Sequence, residues 1–446
     1  MAELVDLAAS VLNLANDGEH LEAYAVHTVT TTVEAGSGAA IRRVDRAETR
    51  GIGLRLFFDQ RVGYASTGDV SAASLRASVA RARANARASD PDPPNVPPEP
   101  QPSATPGWTR RSTLPERLED RVVVVRQAVT AAESIDARVR AVDSGEYRDE
   151  RREVAVVSTT GVRAQFERDW RELYVDVLGE HRAGQAMDCG YWCGSAGDDV
   201  DPEAVAREAV ERTVRLLGEP LPRPPGVAVL LDYTVAGELL AAVGRACTGG
   251  AIGTGRSPFA RLVGQPVGSA GVSLVDDGRP ESVPGGTTYD DEGVPRRCTS
   301  LISAGVLIGA LHSTATAVAM EDGSTSTGNA RRATHKAAPR AAPAGLRIES
   351  TAASDQLAAK VGDAVYIQGL TGAGSGINSV TGRVDVGGVG WLLQNGAPAG
   401  PVATVPLATD LVSLLRTVTQ VGDDTRPHPE SPVVAGTVCC GPDLLG

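Results

Sequence analysis

Six histidines and six cysteines hold most of the metal and nucleophile chemistry open to this chain, and their spacing withholds it. His20, His27, His181, His312, His335 and His428 form no HExxH, HExxxH or H-x-H pattern, so no two imidazoles share a face as a protein-built zinc site requires. Cys189 and Cys193 bracket Gly190-Tyr191-Trp192, but the adjacent pair Cys439-Cys440 is poorly shaped to complete a zinc set. The two thiols read as reduced cysteines in a glycine- and aromatic-bearing turn. Asp276-Asp277 and Asp290-Asp291-Glu292 could pair carboxylates or take a divalent cation, yet each run ends in glycine and reads as a turn. No GxSxG elbow is present, and no serine has a histidine partner at motif level. Gly369-Leu370-Thr371-Gly372-Ala373-Gly374-Ser375-Gly376 lacks the GK[ST] ending of a phosphate loop and is not expected to lead into a helix.

The remaining binding candidate is the loop Gly328-Asn329-Ala330-Arg331-Arg332, with His335 just beyond it. Arginine forks can hold a carboxylate or the carbonyls of an extended chain. A charged surface turn, with His335 solvated, accounts for the same residues, and both readings stay open here.

These residues must be positioned by a fold of short strands and turns. Among 446 residues are 50 glycines and 28 prolines, with 42% hydrophobic and 22% charged residues, a soluble composition with length for two cores. The net charge of −12 excludes a general duplex binder, which needs a basic face. No apolar run reaches the length of a membrane span, and Met1-Ala2-Glu3-Leu4-Val5-Asp6 carries acids where a secretory n-region is basic. The expected compartment is the cytoplasm.

The pattern predicts helices over 2–16, 71–88, from a Thr113-Leu114-Pro115-Glu116 capping box to Glu133, and over 202–217. Strands are expected at 21–33, 39–48, 51–58 and 61–66, then at 138–148, 152–159, 162–169 and 171–181. Helix, four strands, helix thus occurs twice. A proline-rich linker at 90–106 lies between the two sets. From residue 223 glycine, valine and short turns dominate, with a strand at 227–231, a helix from 234, a strand over 267–276, and helices at 312–320 and 405–416. The fold class is α+β: an N-terminal domain (1–222) of antiparallel sheet plus helices, then a mainly β C-terminal domain (223–446).

Several stretches carry a resemblance: Val227-Ala228-Val229-Leu230-Leu231 with its following helix, Ser326-Thr327-Gly328-Asn329-Ala330-Arg331-Arg332, Gly369-Leu370-Thr371-Gly372, Val380-Thr381-Gly382, Trp391-Leu392-Leu393-Gln394-Asn395-Gly396 and Val421-Gly422-Asp423-Asp424. In this order they resemble the TldD/PmbA family, also called modulators of DNA gyrase or microcin-processing peptidases, with roughly half of the chain covered by specific motifs. The resemblance implies a heterodimer in which one subunit carries HExxxH just after the 229–231 strand. Here Asp232, Tyr233 and Gly237 stand where histidine, glutamate and histidine would, and Val421 replaces a cysteine ligand. It therefore implies the metal-free, PmbA-type (TldE-like) subunit of a zinc-dependent peptidase or amide hydrolase. No cofactor would be bound by this chain, and zinc would reside in a TldD-like partner. The substrate would be a peptide or a small specialised-metabolite amide, contacted by Asp232, Tyr233, Asn329, Arg331, Arg332, His335, Thr381 and Arg383. At Arg383 the family commonly has an acid. The alternative is a homodimeric binding or regulatory protein without activity.

Overall fold

Alternation of Leu21, Ala23 and Ala25 against Glu22, Tyr24 and Val26 produces strand β1 (His20–Gly36) in the computed structural model, which describes residues 2–102, 117–182 and 184–445. After helix α1 (Ala2–Ala9), β1 pairs with β2 (Ala40–Phe58), and β2 with β3 (Arg61–Thr67). On its other side β1 pairs with β4 (Val139–Ser158), which continues to β5 (Arg163–His181) and β6 (Gly184–Gly194). Every pairing is antiparallel, and the sheet runs β3-β2-β1-β4-β5-β6. Helices α1 and α2 (Ala72–Ala88) cover one half of a single face, and α3 (Leu118–Ile135) and α4 (Pro202–Arg215) cover the other.

The layout therefore repeats as helix, three strands, helix rather than with four strands. Charged stretches that read as breaks continue as strand because their partners answer them: Arg148 lies opposite Glu172 and Arg151 opposite Asp169. The Cys189–Cys193 segment is strand β6, not a turn. Its Gly190 is there because a Cβ would come within 2.3 Å of the Val205 carbonyl on α4; Gly63 of β3 meets the Ala82 carbonyl of α2 in the same way, at 2.0 Å. The capping box at 113–116 falls outside the described residues.

The C-terminal half is built on β7 (Ala228–Leu231), parallel to Ala364–Thr371 and antiparallel to Val438–Cys440 in a seven-stranded sheet. Val229 and Leu231 enter the largest core with most apolar residues of the next helix, α5 (Tyr233–Ala246), while Leu230 packs on the other face with Trp391. A second, six-stranded sheet contains Leu274–Asp276, Thr299–Ser303 and Leu346–Ile348. Several expected elements differ. The first helix stops at Ala9, and Leu12–Leu14 forms a separate 3-10 turn. The 267–276 strand shrinks to Leu274–Asp276. The segment 405–416 is a strand, Val405–Asp410, before a helix, Leu411–Thr417, because Asp410 caps that helix at its own Val412 and Ser413 amides. The 369–376 glycines do turn into a short helix, Ala373–Gly376.

The two halves meet through charges removed from water. Glu22 of β1 pairs with Arg55 of β2 and with Arg332; Arg55 also reaches Glu292 at 2.9 Å. All four side chains are at most 2% exposed. The Arg332 guanidinium lies 4.9 Å from the Tyr24 ring centroid, and its backbone N–H donates to Asp291. Truncating one member leaves the others charged and unanswered, at a cost of about 3–5 kcal/mol. Arg332→Ala and Glu22→Ala should each lower the urea midpoint accordingly, whereas Arg383→Ala, at an exposed pair, should stay within about 0.5 kcal/mol of the parent.

Candidate functional site

β7 ends at Leu231, and the next residue, Asp232, caps α5: its carboxylate accepts from the Thr234 N–H at 2.9 Å. The other carboxylate oxygen is 3.1 Å from Nη1 of Arg212 on α4 and accepts from the Tyr366 hydroxyl at 2.9 Å. Arg212 also donates to the Gln368 carbonyl at 2.6 Å and lies 3.3 Å from Asp188. Gln368 in turn accepts from Trp391 Nε1 at 2.9 Å, and Trp391 stacks on Tyr366. Burial alone would depress the Arg212 guanidinium, but Asp232 and Asp188 raise it above its ordinary range. Asp232 is thus fixed by a permanent cation.

Tyr233 begins the helix with its hydroxyl donated to Glu208 of α4, while Arg426 lies 2.5 Å from the same carboxylate and 4.8 Å from the Tyr233 ring centroid. Burial, then Asp232 and Glu208, push the phenol far above its usual titration range, so it stays protonated. Tyr191 of β6 packs edge-on at 6.1 Å, its buried hydroxyl without a hydrogen-bond partner among the described residues. Together these groups line a cavity of about 600 Å³ between α4, β6 and the start of α5. Cys189, on the same strand, is pushed up to about 12 by burial and is no nucleophile.

The third position of the triplet is more telling. Gly237 faces the imidazole of His428, and a Cβ there would lie 2.7 Å from His428 Cδ2. The volume that a side chain at 237 would enter is filled by a ring from the C-terminal segment. His428 Nδ1 accepts from the Glu430 N–H at 3.2 Å, which assigns the proton to Nε2. Val421 is fully buried in the core. Among the described residues, no three His, Cys, Asp or Glu side chains lie together as a metal would need. The donor set at 232, 233 and 237 does not suit zinc: one carboxylate is already neutralised by arginine, one phenol is held protonated, and the last position has no side chain.

The other candidate residues separate. Asn329 is buried and donates to Asp276 and to the Ala342 carbonyl, so it closes a turn instead of meeting a ligand. Arg332 is consumed by Glu22 and is no surface turn. His335 is half-buried and packs across Gly51 and Gly53 of β2, where side chains would collide with it. Asp290, Asp291 and Glu292 do form a turn, whereas Asp276 ends a strand and Asp277 follows it; all five are buried and held by hydrogen bonds or arginines. Thr381 and Arg383 are exposed, with Arg383 paired to Asp385 at 2.6 Å, and neither lines the cavity beside Asp232. Arg331 and Asp291 face another cavity. Arg212 carried a signal in the sequence: it sits on the apolar stripe of α4 with Val205, Ala209 and Thr213. Tyr366, Gln368 and His428 carried none, because long-range folding alone brings them near α5.

Three family models match in order along the chain: PmbA/TldA metallopeptidase domain 1 at residues 21–86, the central domain at 112–217, and the C-terminal domain at 225–442. The chain belongs to the TldD/PmbA family. A metalloprotease TldD homolog of Haemophilus influenzae is 27% identical over 84% of this chain and 80% of its own length. A protein of Thermotoga maritima described as a modulator of a DNA gyrase superposes with a TM-score of 0.86 at 20% identity, covering 98% of both chains. TldE from Thermococcus kodakarensis does so at 0.85 and 19%, covering 99% of this chain and 98% of its own. At these identities the two structures establish the shared fold. No helix among the described residues is long and apolar enough to cross a membrane.

Burial holds His428 down, to about 4. Its folded-state value lies below that of an unfolded histidine, so the unfolded chain binds more protons between about pH 4 and 6.5 and stability falls as pH falls through that window. Melting temperatures from pH 7.5 to 4.5 should show this loss in the parent, and a shallower slope in His428→Gln.

Proposed function

We propose that this member of the TldD/PmbA family is a metal-free, TldE-like subunit that shapes a substrate chamber for a zinc-bearing, HExxxH-containing partner. The observation that carries the reading is the filled volume at Gly237: imidazole from His428 occupies the place where a second helical ligand would project. The cation of Arg212 at Asp232 supports it, since zinc and a guanidinium compete for the same carboxylate. With Tyr233 protonated and no activated nucleophile beside it among the described residues, the cavity offers aromatic and charged surface, Tyr191, Tyr366 and Trp192 among its walls with Arg207 and Glu211. Such surface binds and orients a chain. Peptides, or a small amide of specialised metabolism, fit a hydrolase of this family, and the cytoplasm is the compartment consistent with the six free thiols.

Co-expression with a HExxxH-bearing homologue from the same genome should yield a complex in which zinc, measured by elemental analysis, follows the partner. The isolated chain should hold sub-stoichiometric zinc and cleave no peptide. Recovery of a zinc-loaded chain on its own would overturn the reading, and a homodimer that ignores the homologue would favour a binding or regulatory role. Rewriting Asp232→His, Tyr233→Glu and Gly237→His together should not create a site. The new histidine meets His428, and overpacking should cost about 1–3 kcal/mol, read as a lowered melting temperature with no gain in zinc.

A further inference from the structure

Past a bulge at Val142–Ser144, the even-numbered residues of β4 and their β5 partners turn away from the helices and face loops of the C-terminal half. There Arg152 lies directly across the ladder from Arg168, like charges opposite one another, which costs stability unless something answers them. With Arg296 and Arg331 they wall a second cavity of about 350 Å³. Two of the four are answered from within the protein. Arg152 donates to the Tyr24 hydroxyl at 2.7 Å, and Arg296 to Thr287 Oγ1 and the Gly328 carbonyl, both at 2.8 Å. The side chains of Arg168 and Arg331 make no hydrogen bond or ion pair with any described residue, and Arg168 Nε is sealed from solvent without a partner. Burial and the adjacent Arg331 lower the Arg168 guanidinium to about 10, a displacement that a nearby anion would reverse.

Carboxylates line the cavity too, and they define the anion it can take. Asp291 already accepts from the Tyr24 hydroxyl and the Arg332 N–H. Glu172 accepts from Trp170 Nε1 at 2.8 Å and pairs with Arg148, as Glu150 does at 3.8 Å. Glu430 stands exposed at the cavity's edge. Two unspent guanidinium groups among these acids suit one singly charged, planar acceptor better than a dianion. The apolar lining, Trp170 and Phe166 from β5 with Pro427, Pro429 and Pro432 opposite, suits an organic body attached to it. The volume is that of a small-ligand pocket.

We infer that this cavity holds the carboxylate of an extended peptide, with Arg168 and Arg331 as its partners. The choice of a peptide rests on the proposed function; the carboxylate preference rests on the cavity alone. Binding is therefore tested on the full chain without any partner, so a failed co-purification leaves it standing, and failed binding leaves the partnership standing.

Isothermal titration with an acetylated tetra-alanine should show the free acid binding about ten-fold or more tighter than its C-terminal amide, as a charge-assisted hydrogen bond is worth. An amidated variant carrying one aspartate distinguishes a side-chain carboxylate from a chain end, and inorganic phosphate tests for a dianion site. Arg168→Gln and Arg331→Gln should each remove the preference for the acid, while Arg168→Lys retains part of it and Arg383→Gln all of it. Circular dichroism melts keep loss of folding separate from loss of binding, and Arg331→Gln, on a loop-borne strand, serves if the sheet variant unfolds. Equal affinity for acid and amide, binding untouched by both glutamine substitutions, binding of phosphate alone, or no binding of any probe would each overturn the inference.

Discussion

The structure depends on a charge network with no access to water. Glu22 stands between Arg55, from its own sheet, and Arg332, from the other half of the chain, and Glu292 closes the set from a third segment. Such a network adds little net stability, since desolvating four ions consumes most of what their attraction returns. Its consequence is registration. Arg332 reaches Glu22 only when the 326–332 loop lies across β1, and that placement in turn fixes Asp291 under Tyr24 and His335 over Gly51 and Gly53. An apolar interface of equal area would tolerate sliding. This one does not, and both cavities described here are bounded by the surfaces it aligns.

On that frame, the start of α5 is held by charge and aromatic packing. The strand-to-helix junction places a carboxylate at its first residue and directs it toward the neighbouring helix. Its counter-charge is a guanidinium from α4, and the space above Gly237 is occupied by His428. A cap, an ion pair and an aromatic cluster join α4 to α5. The junction acts as a structural bond between the halves of the chain.

Much of this was legible in the sequence where periodicity spoke. The two helix-flanked strand sets, the strand at 228–231 and the helix after it all follow from apolar spacing, and the motifs of the C-terminal half were sufficient for the family. Boundaries failed where charge mimicked a turn: Asp149 to Arg152 is the middle of a strand, because cross-strand acids and arginines pair above and below it. Glycine misled in the same way in β6, where it permits close approach of α4. The site was less legible. Position relative to the 229–231 strand points to Asp232 and Tyr233, which do line a cavity, whereas Arg332 and Asn329, in a loop whose pattern suggests ligand contact, are interior. No local pattern reveals that an arginine's partner lies 310 residues away.

The repeated layout of the N-terminal sheet has an outcome of its own. Its two triplets of strands offer two like surfaces on the side away from the helices. The first, around Tyr24, Arg55, Gly51 and Gly53, is fully sheathed by the 326–337 segment; the second, on β4 and β5, is roofed only at a distance by turns and prolines. The two triplets, alike in layout, are thus used unequally: one anchors the C-terminal half, and the other walls a cavity.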